Sequence, residues 1–127
     1  MGFYTDSVAL SYADVQAAKQ WWVNAFVCKV VKVPSDWDNH LPSDIGLTLP
    51  RNDQPTILLS SRSKVKEAGF DRLVPVVSVI FCDELKEAYE QLSSRGIVVT
   101  PIQDGGDTQF FEIRDVEGNL IQICKEP

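Results

Sequence analysis

Residues 111–123 read FEIRDVEGNLIQI, in which apolar and polar side chains alternate on both sides of the turn-forming residues 115–119. Alternation with a period of two is typical of half-buried strands, and Asp, Gly and Asn favour tight turns. The stretch therefore predicts an antiparallel hairpin. Its short connection sets the register and places three cross-strand pairs on one face of the sheet: Arg114 with Leu120, Glu112 with Gln122, and Phe110 with Cys124.

The hairpin is the last part of a series of secondary-structure elements that occurs twice in the chain. The first copy is a strand at 7–12, a helix capped by Asp14 that ends near Phe26, and strands at 28–33, 45–49 and 56–60. The second copy is a strand at 75–81, a helix capped by Asp83 that ends at Gly96, a strand at 97–102 and the hairpin strands at 109–114 and 120–124. The order predicts two tandem β-α-β-β-β units.

We expect these units to form one α+β domain over residues 1–127, with a first unit at 1–61, a linker with room for a helical turn at 62–74 and a second unit at 75–127. Neither sheet can bury its inner face alone, so the units must share a core or enclose a cleft between curved mixed sheets. The chain is 44% hydrophobic and 24% charged, which is enough for a core without a disulfide or a metal.

The hairpin at 111–123 resembles the terminal hairpin of the vicinal oxygen chelate superfamily, which includes glyoxalase I, the bleomycin-resistance proteins and the extradiol dioxygenases. The superfamily's turn reads Asp-Pro-Asp-Gly-Asn, and here Val116 and Glu117 replace the second and third residues. Residues 7–14 and 76–83 are similar to the superfamily's strands that lead to a helix-capping aspartate. Trp21 and Trp22 match its aromatic pair on the first helix, although packing in the core explains them better.

The resemblance also implies where a metal would be bound, and this chain lacks those ligands. Metal-dependent members carry His or Gln at the positions of Ser7 and Val76, and Glu at the position of Gln122. The corresponding strand of the first unit, within 54–62, has no acidic residue, and the lone histidine is His40. Divalent metals prefer imidazole, thiolate and carboxylate ligands. We therefore expect neither a metal nor another cofactor.

Strand alternation predicts which side chains line the cleft. Small side chains of the first strand and residues 76, 78, 80 and 82 of the fifth should face inward. Glu112 is the candidate catalytic base, and Glu112 with Gln122 could alternatively form a cross-strand hydrogen bond on a solvated face. Trp37, from a loop, could cover the cleft or contact a second subunit. The predicted ligand-binding residues are Ser7, Trp37, His40, Val76, Ser78, Phe110, Gln122 and Cys124.

Three functions fit these residues. The missing metal ligands favour a protein that binds a small organic molecule, as drug-sequestering relatives do. The alternatives are a lyase or isomerase that uses Glu112 as general base or an atypical metal site, and a module that binds a partner without a small ligand. Whether the chain is an enzyme stays open at this point.

Charge and composition bear on partners and location. The net charge of -6 and the scattered basic residues argue against nucleic acid as a partner. The sequence contains no apolar run of membrane-spanning length and no targeting segment at its start, so we expect a cytoplasmic protein with three reduced cysteines and no membrane contact. Free sheet edges and an open cleft predict a homodimer.

We predict that the purified protein carries no stoichiometric zinc, iron, manganese or nickel, because neither unit supplies a set of metal ligands at the superfamily's positions. Elemental analysis of protein purified without chelators tests this. A content of about one tightly held metal ion per chain would contradict it.

Overall fold

The structure is a computed structural model that describes residues 2–6, 8–35, 37, 40–69 and 78–126. The first unit consists of β1 (Val8–Tyr12), α1 (Val15–Phe26), β2 (Lys29–Val31), β3 (Ile45–Thr48) and β4 (Ile57–Ser61). A short helix, α2 (Arg62–Ala68), follows it. The second unit consists of β5 (Ser78–Cys82), α3 (Leu85–Ser94), β6 (Gln103–Asp104), β7 (Gln109–Arg114) and β8 (Leu120–Lys125).

The strands form two four-stranded mixed sheets with the same connectivity. The strand orders are β1-β4-β3-β2 and β5-β8-β7-β6. In each sheet the first strand pairs parallel with the last, and the remaining pairs are antiparallel. The predicted α+β class and the repeated β-α-β-β-β order are confirmed. None of the helices in the described part of the chain is long and apolar enough to cross a membrane.

Three local predictions differ from the structure. Residues 97–102 do not form a strand; they contribute an isolated bridge between Val99 and Ile113, and the short strand β6 follows. The start of the linker is the full helix α2, which buries Val65. Helix α3 has Glu84 as its N-cap instead of the predicted Asp83.

Helix α1 follows its predicted pattern closely. Asp14 caps it through a hydrogen bond that its carboxylate accepts from the Ala17 amide at 3.1 Å. Its apolar stripe, Ala18, Trp22, Ala25 and Phe26, is buried against the first sheet. The helix is followed by the cap residue Val27, whose positive φ of 57° is unusual for a β-branched residue.

Both units contribute to one hydrophobic core, which lies on the helix-covered sides of the two sheets. Leu10 and Tyr12 face this core as predicted. The side chains of β5 face the opposite way from the prediction. Ile80 and Cys82 are fully buried in the core, and Ser78 lies on the same face as they do. The prediction that these three line the cleft is therefore wrong.

The error in β5 has a physical cause. Residues 76–82 are apolar at nearly every position, so that alternation alone does not select a face. Parallel pairing with β8 selects it: Val79 lies beside Gln122 and Phe81 beside Cys124. Ser7 and Val76, two other predicted cleft residues, lie outside the described residues.

A buried aspartate in the terminal hairpin joins the two units. The Tyr12 hydroxyl of β1 donates to Asp115 Oδ2 at 2.6 Å, and Trp22 Nε1 donates to the Tyr12 oxygen at 2.9 Å. Asp115 Oδ1 also accepts from the backbone amides of Glu117 and Asn119, which closes the turn. Burial, followed by the hydrogen bond to Asp115, raises the pKa of Tyr12, so that its phenol stays protonated as a donor.

The same turn also holds the start of α1. The carboxylate of Glu117 accepts hydrogen bonds from the amides of Ala13 and Asp14, both at 2.9 Å. It also forms an ion pair with Arg62 of α2 at 3.3 Å. The hairpin turn therefore contacts β1, α1 and α2 of the preceding half.

The N-terminal segment makes a second connection between the units. Tyr4 and Phe81 form an antiparallel bridge with reciprocal backbone hydrogen bonds of 3.0 and 2.7 Å. The Thr5 hydroxyl donates to the Val79 carbonyl at 2.6 Å. The Thr5 amide donates to Asn52 Oδ1, and Asn52 Nδ2 donates to the Thr5 carbonyl. Residues that precede β1 thus cover the free edge of the second sheet.

We predict that Tyr12→Phe lowers the free energy of unfolding by about 1–3 kcal/mol, because Asp115 and Trp22 each lose a buried hydrogen-bond partner. Urea denaturation followed by circular dichroism measures the change. Tyr89→Phe is the matched control, since no hydrogen bond to the Tyr89 hydroxyl occurs within the described ranges, and its effect should stay within about 0.5 kcal/mol. Equal effects of the two substitutions would contradict the prediction.

Candidate functional site

A pocket of about 380 Å³ lies where the two units meet. Trp21 of the first unit forms one wall, and the remaining lining residues belong to the second unit, among them Ile97, Thr100, Glu112, Arg114 and Leu120. The pocket thus combines aromatic and aliphatic surface with one carboxylate, one guanidinium and one hydroxyl. This composition is typical of sites for small organic molecules.

The backbone beside the pocket is fixed by the segment that follows α3. Gly96, with a positive φ of 82°, turns the chain after the helix. Residues 97–100 then run along the free edge of β7, where Thr100 and Glu112 form two hydrogen bonds. The Thr100 amide donates to the Glu112 carbonyl at 3.0 Å, and the Glu112 amide donates to the Thr100 hydroxyl oxygen at 2.8 Å. The position of Glu112 therefore depends on this edge contact as well as on the hairpin.

Trp21 is held in place by other aromatic rings. It makes edge-to-face contacts with Trp22 at 5.5 Å and with Phe26 at 5.9 Å between ring centroids. Trp22 and Phe26 are fully buried, whereas Trp21 is half-buried and has one side free for the pocket. Edge-to-face packing restricts the ring, so Trp21 is a preorganised wall.

Glu112 and Gln122 lie directly opposite each other, as the hairpin register predicts. Both side chains are half-buried. Within the described part of the chain, neither the Glu112 carboxylate nor the Gln122 amide group has a hydrogen-bond partner, so that the cross-strand hydrogen bond considered above is not formed. Arg114, the nearest cation along the strand, donates to the Gly118 carbonyl at 3.0 Å. Glu112 is thus a carboxylate whose hydrogen-bonding capacity is unused.

Among the predicted site residues within the described ranges, Glu112 lines this pocket, and the others, Gln122 included, do not. Phe110 and Cys124 share a sheet face with Glu112 but do not line its pocket. Trp37 and His40 lie in the loop before β3, where His40 Nδ1 is 2.6 Å from the Trp37 carbonyl oxygen, and they do not line this pocket either. Ser78 points to the opposite side of the sheet.

Most residues of the pocket are absent from the predicted site, and Trp21 and Thr100 are the most informative of them. Trp21 lies on α1 beside the buried Trp22, and its position in the sequence gives no sign that it reaches across to the second unit. Thr100 was assigned to a strand that does not form. The adjacent pair Trp21–Trp22 was the one available signal, since one face of a helix can bury only one of two neighbouring residues fully.

The described residues include no group of three or more His, Cys, Asp or Glu side chains arranged to hold a metal ion. The three cysteines are free and buried. Burial raises the pKa of Cys28 and Cys82 to about 12, and it also raises the pKa of Cys124. These thiols are therefore protonated at neutral pH, which makes them poor nucleophiles and poor metal ligands.

Residues 5–123 match the sequence profile of the Glyoxalase/Bleomycin resistance protein/Dioxygenase superfamily. The chain belongs to this superfamily. The match spans both units and most of the terminal hairpin, so it covers every element that builds the pocket. No curated protein matches the chain significantly.

Solved structures of the superfamily's fold resemble the chain over almost its whole length. A superfamily member from Sphaerobacter thermophilus is 17% identical, with 97% of each chain covered and a TM-score of 0.70. Lactoylglutathione lyase from Agrobacterium tumefaciens is 19% identical, with 96% of this chain and 92% of that chain covered and a TM-score of 0.70. TnmS3, an antibiotic binding protein from Streptomyces, is 12% identical, with 98% and 96% covered and a TM-score of 0.70. At these identities the similarity establishes the fold.

Proposed function

We propose that the chain is a metal-independent small-molecule-binding protein of the glyoxalase/bleomycin-resistance type, which holds an organic ligand in the pocket beside Glu112. The observation that carries this proposal is the half-buried Glu112 carboxylate, which lines a pocket walled by Trp21 and has no hydrogen-bond partner among the described residues. Because solvent reaches this carboxylate, a ligand that supplies a donor can take the place of water there.

The other lining groups fit an amphipathic ligand. Trp21, Ile97 and Leu120 offer apolar contact area, whereas the Thr100 hydroxyl accepts from the Glu112 amide and keeps its own proton for donation. A volume of about 380 Å³ lies in the usual range of small-molecule pockets. The complementary ligand therefore has an apolar body and a cationic or N–H donor group that reaches Glu112.

A protein of similar fold supports the proposal of binding without catalysis. TnmS3 is described as an antibiotic binding protein, and it shares the fold over nearly the full chain. Gln122, Phe110 and Cys124 are proposed as further contacts, because they lie on the same sheet face as Glu112. Participation of Ser7, Trp37, His40 and Val76 stays a prediction.

A lyase- or isomerase-type enzyme is the second candidate, with Glu112 as general base. The favouring observation is again the carboxylate without a partner, because a general base must be free to approach the proton that it removes. The fold of lactoylglutathione lyase from Agrobacterium tumefaciens is similar to that of this chain. The substitution Glu112→Gln, which replaces the carboxylate with an amide, distinguishes an anchoring role of Glu112 from a role as general base.

We predict that Glu112→Gln weakens ligand binding about tenfold, because the neutral amide keeps part of the hydrogen bonding and loses the charge. A library of small amines and amides, screened by melting shift, supplies the ligands, and calorimetric titration gives the dissociation constants. If a ligand is turned over, the same substitution should abolish turnover. Glu90→Gln, an exposed carboxylate on α3, is the control and should change neither property. Unchanged affinity in Glu112→Gln would argue against the proposed site.

We also propose that the protein is a homodimer. Both sheets use their helix-covered faces for the common core, so their other faces are available to a second chain. The edge strands β2 and β6 have no further strand beside them within the described residues. Light scattering at high micromolar concentration should give twice the chain mass of 14.2 kDa, and a monomer at that concentration would contradict the proposal.

The cellular location that we propose is the cytoplasm. The supporting observation is that Cys28, Cys82 and Cys124 are all free thiols. Free, unpaired cysteines are usual where glutathione and thioredoxin keep thiols reduced.

A further inference from the structure

The pocket contains two side chains of opposite charge. Glu112 and Arg114 are the charged residues among its described lining, and both belong to β7. They are two residues apart, so their side chains lie on the same face of the strand, with Cα atoms roughly 7 Å apart. A long arginine side chain could reach the carboxylate over this distance and neutralise it. The ion pairs of the described residues nevertheless include neither side chain.

The Arg114 guanidinium is held on the side away from Glu112. Its Nη1 donates to the Gly118 carbonyl at 3.0 Å, and Gly118 belongs to the turn that follows Arg114, whereas Glu112 precedes Arg114 on the strand. The accepting group is itself fixed, because the Gly118 amide donates to the Asp115 carbonyl at 3.0 Å within the same turn. The two charges therefore face one pocket without neutralising each other.

Most of the hydrogen-bonding capacity of this guanidinium is unused. A guanidinium carries five N–H donors in a planar fork, and among the described residues Arg114 uses it for the single bond to Gly118. The carboxylates of the adjacent turn are engaged elsewhere, Asp115 in buried hydrogen bonds and Glu117 with Arg62 and the start of α1. A carboxylate that pairs with Arg114 is therefore one that a ligand supplies.

Apolar side chains surround the charged pair. Leu120 is the cross-strand neighbour of Arg114, and Ile97 and Val98 belong to the segment along the free edge of β7. Val98 is 86% exposed, so it lies at the mouth of the pocket. Trp21 closes the opposite side from α1. An apolar group placed among these side chains is removed from water, which favours binding.

We infer that Arg114 is a second anchor of the pocket and that the ligand is a zwitterion of the α-amino acid type with an apolar side chain. The ammonium group binds Glu112, the carboxylate binds Arg114 and the apolar side chain packs against Trp21. This inference rests on the proposed function and specifies its ligand class.

The dimensions of an α-amino acid suit the two anchors. Its nitrogen and its carboxylate carbon are about 2.5 Å apart, and a charge-assisted hydrogen bond adds about 2.8 Å at each end, so it joins groups about 8 Å apart. The Cα atoms of Glu112 and Arg114 are roughly 7 Å apart, and the bond to Gly118 draws the guanidinium further from the carboxylate.

Leucine, isopentylamine and 4-methylpentanoate test the two anchors separately, since isopentylamine lacks the carboxylate of leucine and 4-methylpentanoate lacks its ammonium group. In calorimetric titrations at neutral pH and low ionic strength, we expect leucine to bind about fivefold more tightly than isopentylamine, because it forms one more solvent-exposed ion pair. We expect 4-methylpentanoate to bind most weakly, since it brings a negative charge near Glu112. Equal affinities of leucine and isopentylamine would overturn the inference.

Arg114→Gln tests the second anchor in the protein, and it should fold because Arg114 is exposed. We expect it to weaken leucine binding about fivefold and to leave isopentylamine binding no weaker, because isopentylamine has no carboxylate. Arg114→Lys keeps the charge without the planar fork and should restore part of the affinity for leucine. Lys86→Gln, which removes one positive charge from the exposed surface of α3, is the matched control and should change neither affinity.

A purely structural role of Arg114 gives a different result. If Arg114→Gln weakens leucine and isopentylamine equally, Arg114 supports the hairpin turn and does not bind the carboxylate, which would overturn the inference. Unchanged affinity for leucine in this variant would overturn it as well.

Failure of the second anchor and failure of the proposed function are also distinguishable. If isopentylamine binds and Glu112→Gln weakens it, but leucine binds no more tightly, the second anchor is wrong and the Glu112 site stands. If leucine is preferred and Arg114→Gln removes the preference, but Glu112→Gln has no effect, the second anchor stands and the Glu112 anchor is wrong. Absence of binding by leucine and by every amine of the library would overturn both.

Discussion

Asp115 is only 6% exposed, and its carboxylate accepts hydrogen bonds from Tyr12, from the side chain of Asn119 and from two backbone amides of its own turn. A buried carboxylate is tolerated only where its lone pairs are satisfied. Tyr12 comes from the first strand of the other unit, so that satisfying this one charge requires the two halves to dock in a single arrangement. The common core then forms on the sides that this docking brings together.

The position of the pocket follows from that docking. The hairpin turn that contains Asp115 also holds the start of α1 through Glu117, and α1 carries Trp21 to the second sheet. Glu112 lies on the same hairpin, three residues before Asp115, and the edge segment at 97–100 fixes its backbone from the other side. The wall and the carboxylate of the pocket are therefore positioned by one turn.

The sheet face on which the resemblance places the cation of metal-dependent members carries the Gln122 amide and the Glu112 carboxylate in this chain. A single carboxylate next to an amide holds a divalent cation poorly, whereas it binds an organic donor well. Because the carboxylate is half-buried and Trp21 forms a wall of the same pocket, shape and charge act together in the proposed recognition. The fold is thus shared with the superfamily, and the proposed recognition depends on side chains that α1, the segment at 97–100 and the terminal hairpin bring to one pocket.

Local sequence determined the features that depend on near neighbours: the extent and capping of α1, the register of the terminal hairpin, the repeated order of elements and the lack of metal ligands at the superfamily's positions. Each of these depends on side-chain periodicity, on a turn or on residue identity, all of which a single stretch of chain contains. Tertiary structure alone decided the face of β5, since its residues are apolar on both sides and pairing with β8 selects the orientation. It also decided that Trp21 lines a pocket, because a half-buried aromatic residue acquires that role only when the other unit supplies the opposite wall.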